Sequence, residues 1–244
     1  MADYNRLPGR FAANFRRAAN ASEAVTNMMT LYRPDYNTFY ENFLRDVADD
    51  GWVAAQTNGT AAAVTYAGGL MTLTSGTDDN GYAGQMLPGL FWNGDNGVYM
   101  QSQMSLDVLT TVKIEAGFTD ASDDAGAMLV KATPTSTATE CTVICFDTDD
   151  NTQLDVMSSN GDTAAADAEN IHTLVAATDI MTEFRVQNNL SSVFLNGLQK
   201  GGSAIEGGTS IAPWFFVQSR AGAASRVLTV NYVFCTGPNG VAIL

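Results

Sequence analysis

Histidine is almost missing from this chain, and most familiar routes to catalysis go with it. One residue, His172, stands in 244. A Ser-His-Asp or Cys-His site would have to use it. It lies between Ile171 and Thr173 in a short strand-like run, where a structural imidazole is the simpler reading. Cysteine is scarce as well. Cys141, Cys145 and Cys235 are an odd number without CxxC spacing, and the first two, four apart on an expected strand, have backbones about 13 Å apart, too far for a disulfide. Their expected role is that of small buried hydrophobes. No apolar run reaches the ~18 residues of a membrane span, and the polar, Arg-containing start lacks the apolar core of a secretory signal. A soluble protein made in a reducing cytoplasm is expected. Charge is thin too, at 16% of residues against the usual quarter. What there is sums to −14, which argues against a nucleic-acid partner because phosphates repel such a surface.

Gly, Ala, Thr, Ser and Asn fill the space that charge leaves, a composition suited to short strands and tight turns. The stretch Glu183–Gly197 states the rule for the chain. Phe184 and Val186 alternate with Glu183, Arg185 and Gln187, the period of a strand with one wet face. Asn188-Asn189 breaks it, Val193–Leu195 resumes, and Asn196-Gly197 suits a type I′ hairpin turn. Similar patterns run from Trp52 onward: Ala62–Tyr66 and Leu70–Thr74 around Gly68-Gly69, Val98–Val108, Val112–Thr119, Ala127–Ala132 paired with Thr139–Phe146, Leu154–Met157, Ile171–Ala176 and Ala212–Gln218. In the last strand, Val227–Cys235, Leu228, Val230, Tyr232 and Phe234 are expected on one face. Regular strands without interleaved long helices or repeats predict an all-β antiparallel sandwich or barrel over residues 51–244.

Residues 1–50 read differently, as an arm. Phe11–Leu31 has helical composition. Tyr36, Phe39, Tyr40, Phe43 and Leu44 fall at i, i+3, i+4, i+7 and i+8, predicting an amphipathic helix over Asp35–Val47 with Asp35 as its N-cap. Five arginines against Asp3 and Glu23 give residues 1–33 a net +3, leaving −17 on the rest. Such asymmetry marks either an interaction tail or a solvated helix face.

The order "EFRV…VFLNG", a Gly-rich loop, "WFFVQSR" and a closing "RVLTVNYVFC" resembles the concanavalin A-like (laminin-G-like) jelly roll over roughly Trp52–Cys235. The acidic, Ala/Gly/Thr-rich body behind a basic, aromatic-containing arm is similar to capsid decoration (cement) proteins of tailed bacteriophages. That resemblance implies a structural virion protein without chemistry. It would sit on the capsid surface as a homotrimer between subunits of the major capsid protein. Arg6, Arg10, Phe11, Phe15, Arg16, Arg17, Tyr36, Phe39 and Tyr40 would make the shell contacts.

Catalytic and metal motifs give little. Jelly-roll glucanases carry Glu-x-Asp-x-x-Glu, because two carboxylates must share a strand face to act on one bond; Glu115 and Asp120 stand alone here, so no enzyme activity is expected. Asp147-Thr148-Asp149-Asp150-Asn151 begins like a calcium loop, but Thr152 and Ser158 occupy the places of its Gly and terminal Glu. Asp78-Asp79-Asn80 and Asp123-Asp124 read as solvated turns, and no cofactor or metal is expected. Trp52, Trp92 and Trp214 suit burial better than a sugar platform. The alternative function is a glycan-binding, lectin-like adhesion module.

Overall fold

A computed structural model of the chain describes residues 36–44, 55–87, 92–121, 126–161, 163–205, 208–222 and 224–238. Its strands are β1 (Tyr36–Glu41), β2 (Gln56–Asn58), β3 (Ala63–Ala67), β4 (Leu70–Thr74), β5 (Tyr82–Met86), β6 (Trp92–Asn93), β7 (Val98–Leu106), β8 (Val112–Thr119) and β9 (Met128–Val130). They continue with β10 (Thr135–Ser136), β11 (Glu140–Asp147), β12 (Leu154–Asn160), β13 (Thr163–His172), β14 (Ile180–Gln187), β15 (Leu190–Leu195), β16 (Leu198–Gly201), β17 (Ser210–Ser219) and β18 (Val227–Pro238). All pairings are antiparallel. Sheet I runs β16-β15-β14-β7-β18-β4-β3 with β1 also on β18, sheet II runs β13-β12-β11-β8-β17-β5-β2 with β6 also on β17, and β9-β10 forms a separate hairpin.

Two faces of opposite chemistry follow from the alternation along each strand. In β7, Val98, Met100, Met104 and Leu106 point inward with Ser102, while Tyr99, Gln101, Gln103 and Ser105 are half-exposed. The inward rows of both sheets meet as one core, including Met71, Leu73, Ile114, Phe118, Ile144, Phe146, Phe184, Phe215 and Val230. The hairpin turns follow their sequence signals. Gly68-Gly69, Asn188-Asn189 and Asn196-Gly197 all have positive φ at both residues, as type I′ geometry demands.

Four expectations need correction. Residues Tyr36–Glu41 are a strand, not a helix, and register with β18 from Tyr36 opposite Pro238 to Glu41 opposite Val233. Tyr36, Phe39, Tyr40, Phe43 and Leu44 keep helical spacing, but β18 outruns β4, which pairs with it only through Val230, and an open edge accepts a β-prone segment. The division after residue 50 therefore does not follow the sheet, since β1 lies inside it. Phe43 is buried just beyond β1 while Leu44 is 69% exposed. Second, β11 pairs with β8 and β12, not with the segment around β9. Third, the strand placed at Ile171–Ala176 begins earlier, at Thr163; alanine's weak strand preference hid it. Fourth, a bulge between Val230 and Tyr232 shifts the register of β18 on β7. It splits the single face expected there: Leu228 and Val230 point inward, then Val233 and Cys235, and this leaves Tyr232 and Phe234 outside.

Candidate functional site: one sealed sheet face and one open face

Lys113, Glu115 and Thr119 alternate with apolar residues along β8, yet the outward row of sheet II to which they belong is buried. On β8 the outward side chains are Lys113, Glu115 and Thr119, all fully buried. Beside them lie Cys141, Val143 and Cys145 of β11, Met157 of β12, Trp214 and Phe216 of β17, and Tyr82 and Met86 of β5. They form a second apolar cluster with Ala127, Met128 and Ala138. The cover comes from the chain between β8 and β11, whose β9-β10 hairpin lies over this face.

Polar chemistry pins that cover. The Glu115 carboxylate accepts N–H bonds from Ala127 (2.8 Å) and Met128 (3.0 Å) and from the Trp214 indole (3.1 Å), and the Lys113 ammonium stands 2.8 Å away. Lys113 also donates to the Met128 carbonyl and lies 5.5 Å from the centre of the Phe216 ring. Together the two side chains grip the N–H and C=O groups of one backbone segment. Gly126 is the residue the grip requires. Its φ is +98°, and a Cβ there would come within 2.7 Å of the Glu115 carboxylate. Trp214 stacks on Phe216 at 5.8 Å, over Gly84, where a Cβ would meet the indole at 2.5 Å.

A glycosidase needs two carboxyl groups open to a sugar on opposite sides of the bond it breaks. The carboxylates on this face are engaged elsewhere. Glu115 is saturated by donors, Asp147 is paired with Arg220, and Asp155 lies 3.0 Å from Lys131. Burial pushes the thiols of Cys141 and Cys145 up, with the Glu115 charge adding to the effect at Cys141. Neither is a nucleophile in this setting. The cavity among Met104, Leu106, Ile114, Leu174, Ile180 and Leu228 has about 10 Å³, room for a single water.

The outward row of sheet I is different. Registered across the sheet are Phe194, Glu183, Gln101, Phe234 and Tyr40, and beside them Arg185 and Tyr99. The Arg185 guanidinium lies 4.4 Å from the Phe194 ring centre and 3.2 Å from the Glu183 carboxylate, and Tyr99 meets Phe234 at 5.9 Å. Asp179 accepts from Gln103 (2.9 Å) and Asn231 (3.1 Å). Partial burial, with the Glu183 charge, pushes the Tyr99 phenol up.

The residues singled out in the sequence scatter across this picture. Arg6, Arg10, Phe11, Phe15, Arg16 and Arg17 lie outside the described residues, as do Trp52 and Asp123-Asp124. Tyr36, Phe39 and Tyr40 are in β1, where Phe39 packs against the sandwich's own core and Tyr40 registers opposite Phe234 on the outer face. Trp92 and Trp214 are buried, so neither offers a sugar platform. Asp78 accepts from the Thr60 backbone at 2.8 Å, clasping a neighbouring turn. Sequence reasoning missed Lys113, Glu115 and Lys131 as a set. Lys-x-Glu on a strand looks like any solvated face until a cover is known.

The sequence matches no protein-family model and no curated protein. Solved structures do match in shape. The Emp47p carbohydrate recognition domain is similar at TM-score 0.59 and 11% identity, over 86% of this chain and 99% of that one. A Bacillus licheniformis beta-glucanase follows at TM-score 0.57 and 14% identity, over 81% and 97%, and a prokaryotic beta-1,3-1,4-glucanase from a mouse hindgut metagenome at 0.57 and 12%, over 83% and 99%. At these identities the likeness speaks to architecture alone. The chain folds as a concanavalin A-like antiparallel jelly-roll sandwich.

Proposed function

We propose that this protein binds and does not catalyse: it is a structural component of a phage particle, seated as a homotrimer on the outside of the shell between major capsid subunits. The observation that carries the non-catalytic half is the Glu115 carboxylate, saturated by Lys113, Trp214 and two backbone N–H groups beneath the chain's own cover. The shell-binding half is supported by charge and place. Residues 1–33 are basic on an otherwise acidic chain, and they lead into β1, which is hydrogen-bonded into sheet I. Arg6, Arg10, Arg16 and Arg17 would pair with acidic shell groups, with Phe11 and Phe15 buried between subunits. Ordering such a segment on docking consumes part of its contact energy, and three copies on one trimer offset the loss through avidity.

The test is co-sedimentation with assembled shells. Deleting residues 1–33 should abolish shell binding while far-UV dichroism and the melting transition stay those of the sandwich. Undiminished binding by the truncated protein would refute the reading.

A second reading is glycan binding on the outer face of sheet I. It is favoured by the half-exposed Tyr99, Phe194 and Tyr232 interleaved with Gln101, Gln103, Asn231 and Arg185, a mixture that offers rings for stacking and planar groups for hydroxyls. The carbohydrate recognition domain and glucanases of similar shape add to it. A glycan array probed with the full chain and with Tyr99→Ala separates the two readings, since only the second expects a signal that the substitution removes.

A further inference from the structure

The turn between β11 and β12 contains the aspartate-rich run that begins like a calcium loop yet lacks the loop's Gly and Glu. A cation is nevertheless held there, and it belongs to the chain. Lys131, just past β9, extends a fully buried ammonium into the turn. The ammonium lies 2.7 Å from Asn151 Oδ1, 2.9 Å from the Gln153 carbonyl, 3.0 Å from Asp155 Oδ2 and 3.3 Å from Asp150 Oδ2. Four oxygens thus converge on a group with three protons to give.

The oxygens are themselves held in place. Asn151 Oδ1 also accepts the Gln153 N–H at 2.9 Å, Asp150 Oδ2 accepts the Asn151 side-chain amide at 2.7 Å, and Asp155 Oδ1 accepts the Asn170 N–H at 2.6 Å. Two carboxylates, a side-chain amide oxygen and a backbone carbonyl are the donor types hard cations take. One ammonium leaves the pair of aspartates a single negative charge in excess.

We propose that this turn is a cation site whose resident cation is the Lys131 ammonium, so that the turn and the sheet cover are locked together without a metal, and that removing the ammonium opens the same oxygens to calcium. Calcium at 2.3–2.6 Å would draw the four oxygens inward by roughly half an ångström and complete its shell with water, for which the missing lysine stem leaves room.

The test uses the full chain and three variants, melted with 5 mM calcium chloride or with EDTA. The native protein should melt at the same temperature in both. Lys131→Ala should melt lower in EDTA and recover by about 5 °C in calcium. Lys131→Met, which fills the space with an uncharged side chain, should be destabilised without recovery. Lys131→Ala combined with Asp155→Asn should lose the calcium response. If Lys131→Ala does not fold in EDTA, refolding yield reads the same question: recovery in calcium supports the assignment, and failure in both overturns it. A calcium shift in the native protein, or none in a folded Lys131→Ala, also overturns it.

Discussion

Strands β8 and β14 share a sequence pattern, yet the outer faces they belong to have opposite fates. In both, apolar residues alternate with polar or charged ones, Lys113 and Glu115 on β8, Glu183 and Arg185 on β14. On sheet I Arg185 stayed near solvent, 57% exposed, and covers a Glu183 carboxylate that is 11% exposed. On sheet II the equivalent pair was buried completely, because the following segment of chain folded back over it. Alternation tells which residues share a face, but not whether that face meets water. The deciding residues are remote from the pattern: Gly126, whose backbone alone fits against a carboxylate, and Trp214, whose indole N–H needs an acceptor once buried.

This contrast can be broken at its strongest point. Glu115→Ala leaves the Lys113 ammonium buried without its counter-charge and should cost about 4 kcal/mol of unfolding free energy in denaturant titrations. Lys113→Met combined with Glu115→Leu should cost less than the single change, because no charge is left stranded, although the Ala127, Met128 and Trp214 N–H groups still lose their acceptor. Thiol labelling sharpens the comparison further. In the native chain all three cysteines are buried and should resist labelling. In Glu115→Ala the loosened cover should expose Cys141 and Cys145, while Cys235, in the core between the sheets, stays protected.

Gly126→Ala ranks next. Positive φ and the close carboxylate should together cost about 2 kcal/mol, read by the same titration. Smaller still is the effect expected at Asp167, in edge strand β13. Burial raises its carboxyl's pKa, opposed by the nearby Ser158 and Ser203 hydroxyls, and its Oδ2 is buried without a hydrogen bond. A raised folded-state pKa means that protonation favours the folded chain, so the ionised group weakens the fold as pH rises through that value. Asp167→Asn should therefore stabilise the protein at pH 7 by a few tenths of a kcal/mol after solvent screening. That gain should disappear in melts taken near pH 3. On the open face, Arg185→Ala should change stability by roughly 0.5 kcal/mol or less, the scale of an exposed cation–π and ion pair.

Much of the architecture was legible because it depends on local rules. Asn-Asn, Asn-Gly and Gly-Gly turns and period-2 runs located β3, β4, β7, β8, β14, β15 and β17 without any knowledge of the fold. What failed depends on partners distant in sequence. The aromatic stripe of β1 fits a helix until the free stretch of β18 is known. The bulge near Asn231 that re-aims Tyr232 and Phe234 leaves no mark in the alternating letters of that strand. The sealed face was the least readable, because its carboxylate is met by backbone groups, which no side-chain motif encodes.

Antiparallel pairing of β1 with β18 places Tyr36 directly across from Pro238. The root of the leading segment and the exit of the last strand are thus next-door neighbours on a single edge. A fluorescent protein or epitope inserted directly after Pro238 would stand beside the root of β1, whereas an insertion at the Asn196-Gly197 hairpin, in another part of the sheet, would leave that root clear. Tension applied between residues 36 and 238 would peel the pair open one hydrogen bond at a time, so this corner is where the protein should yield first under load.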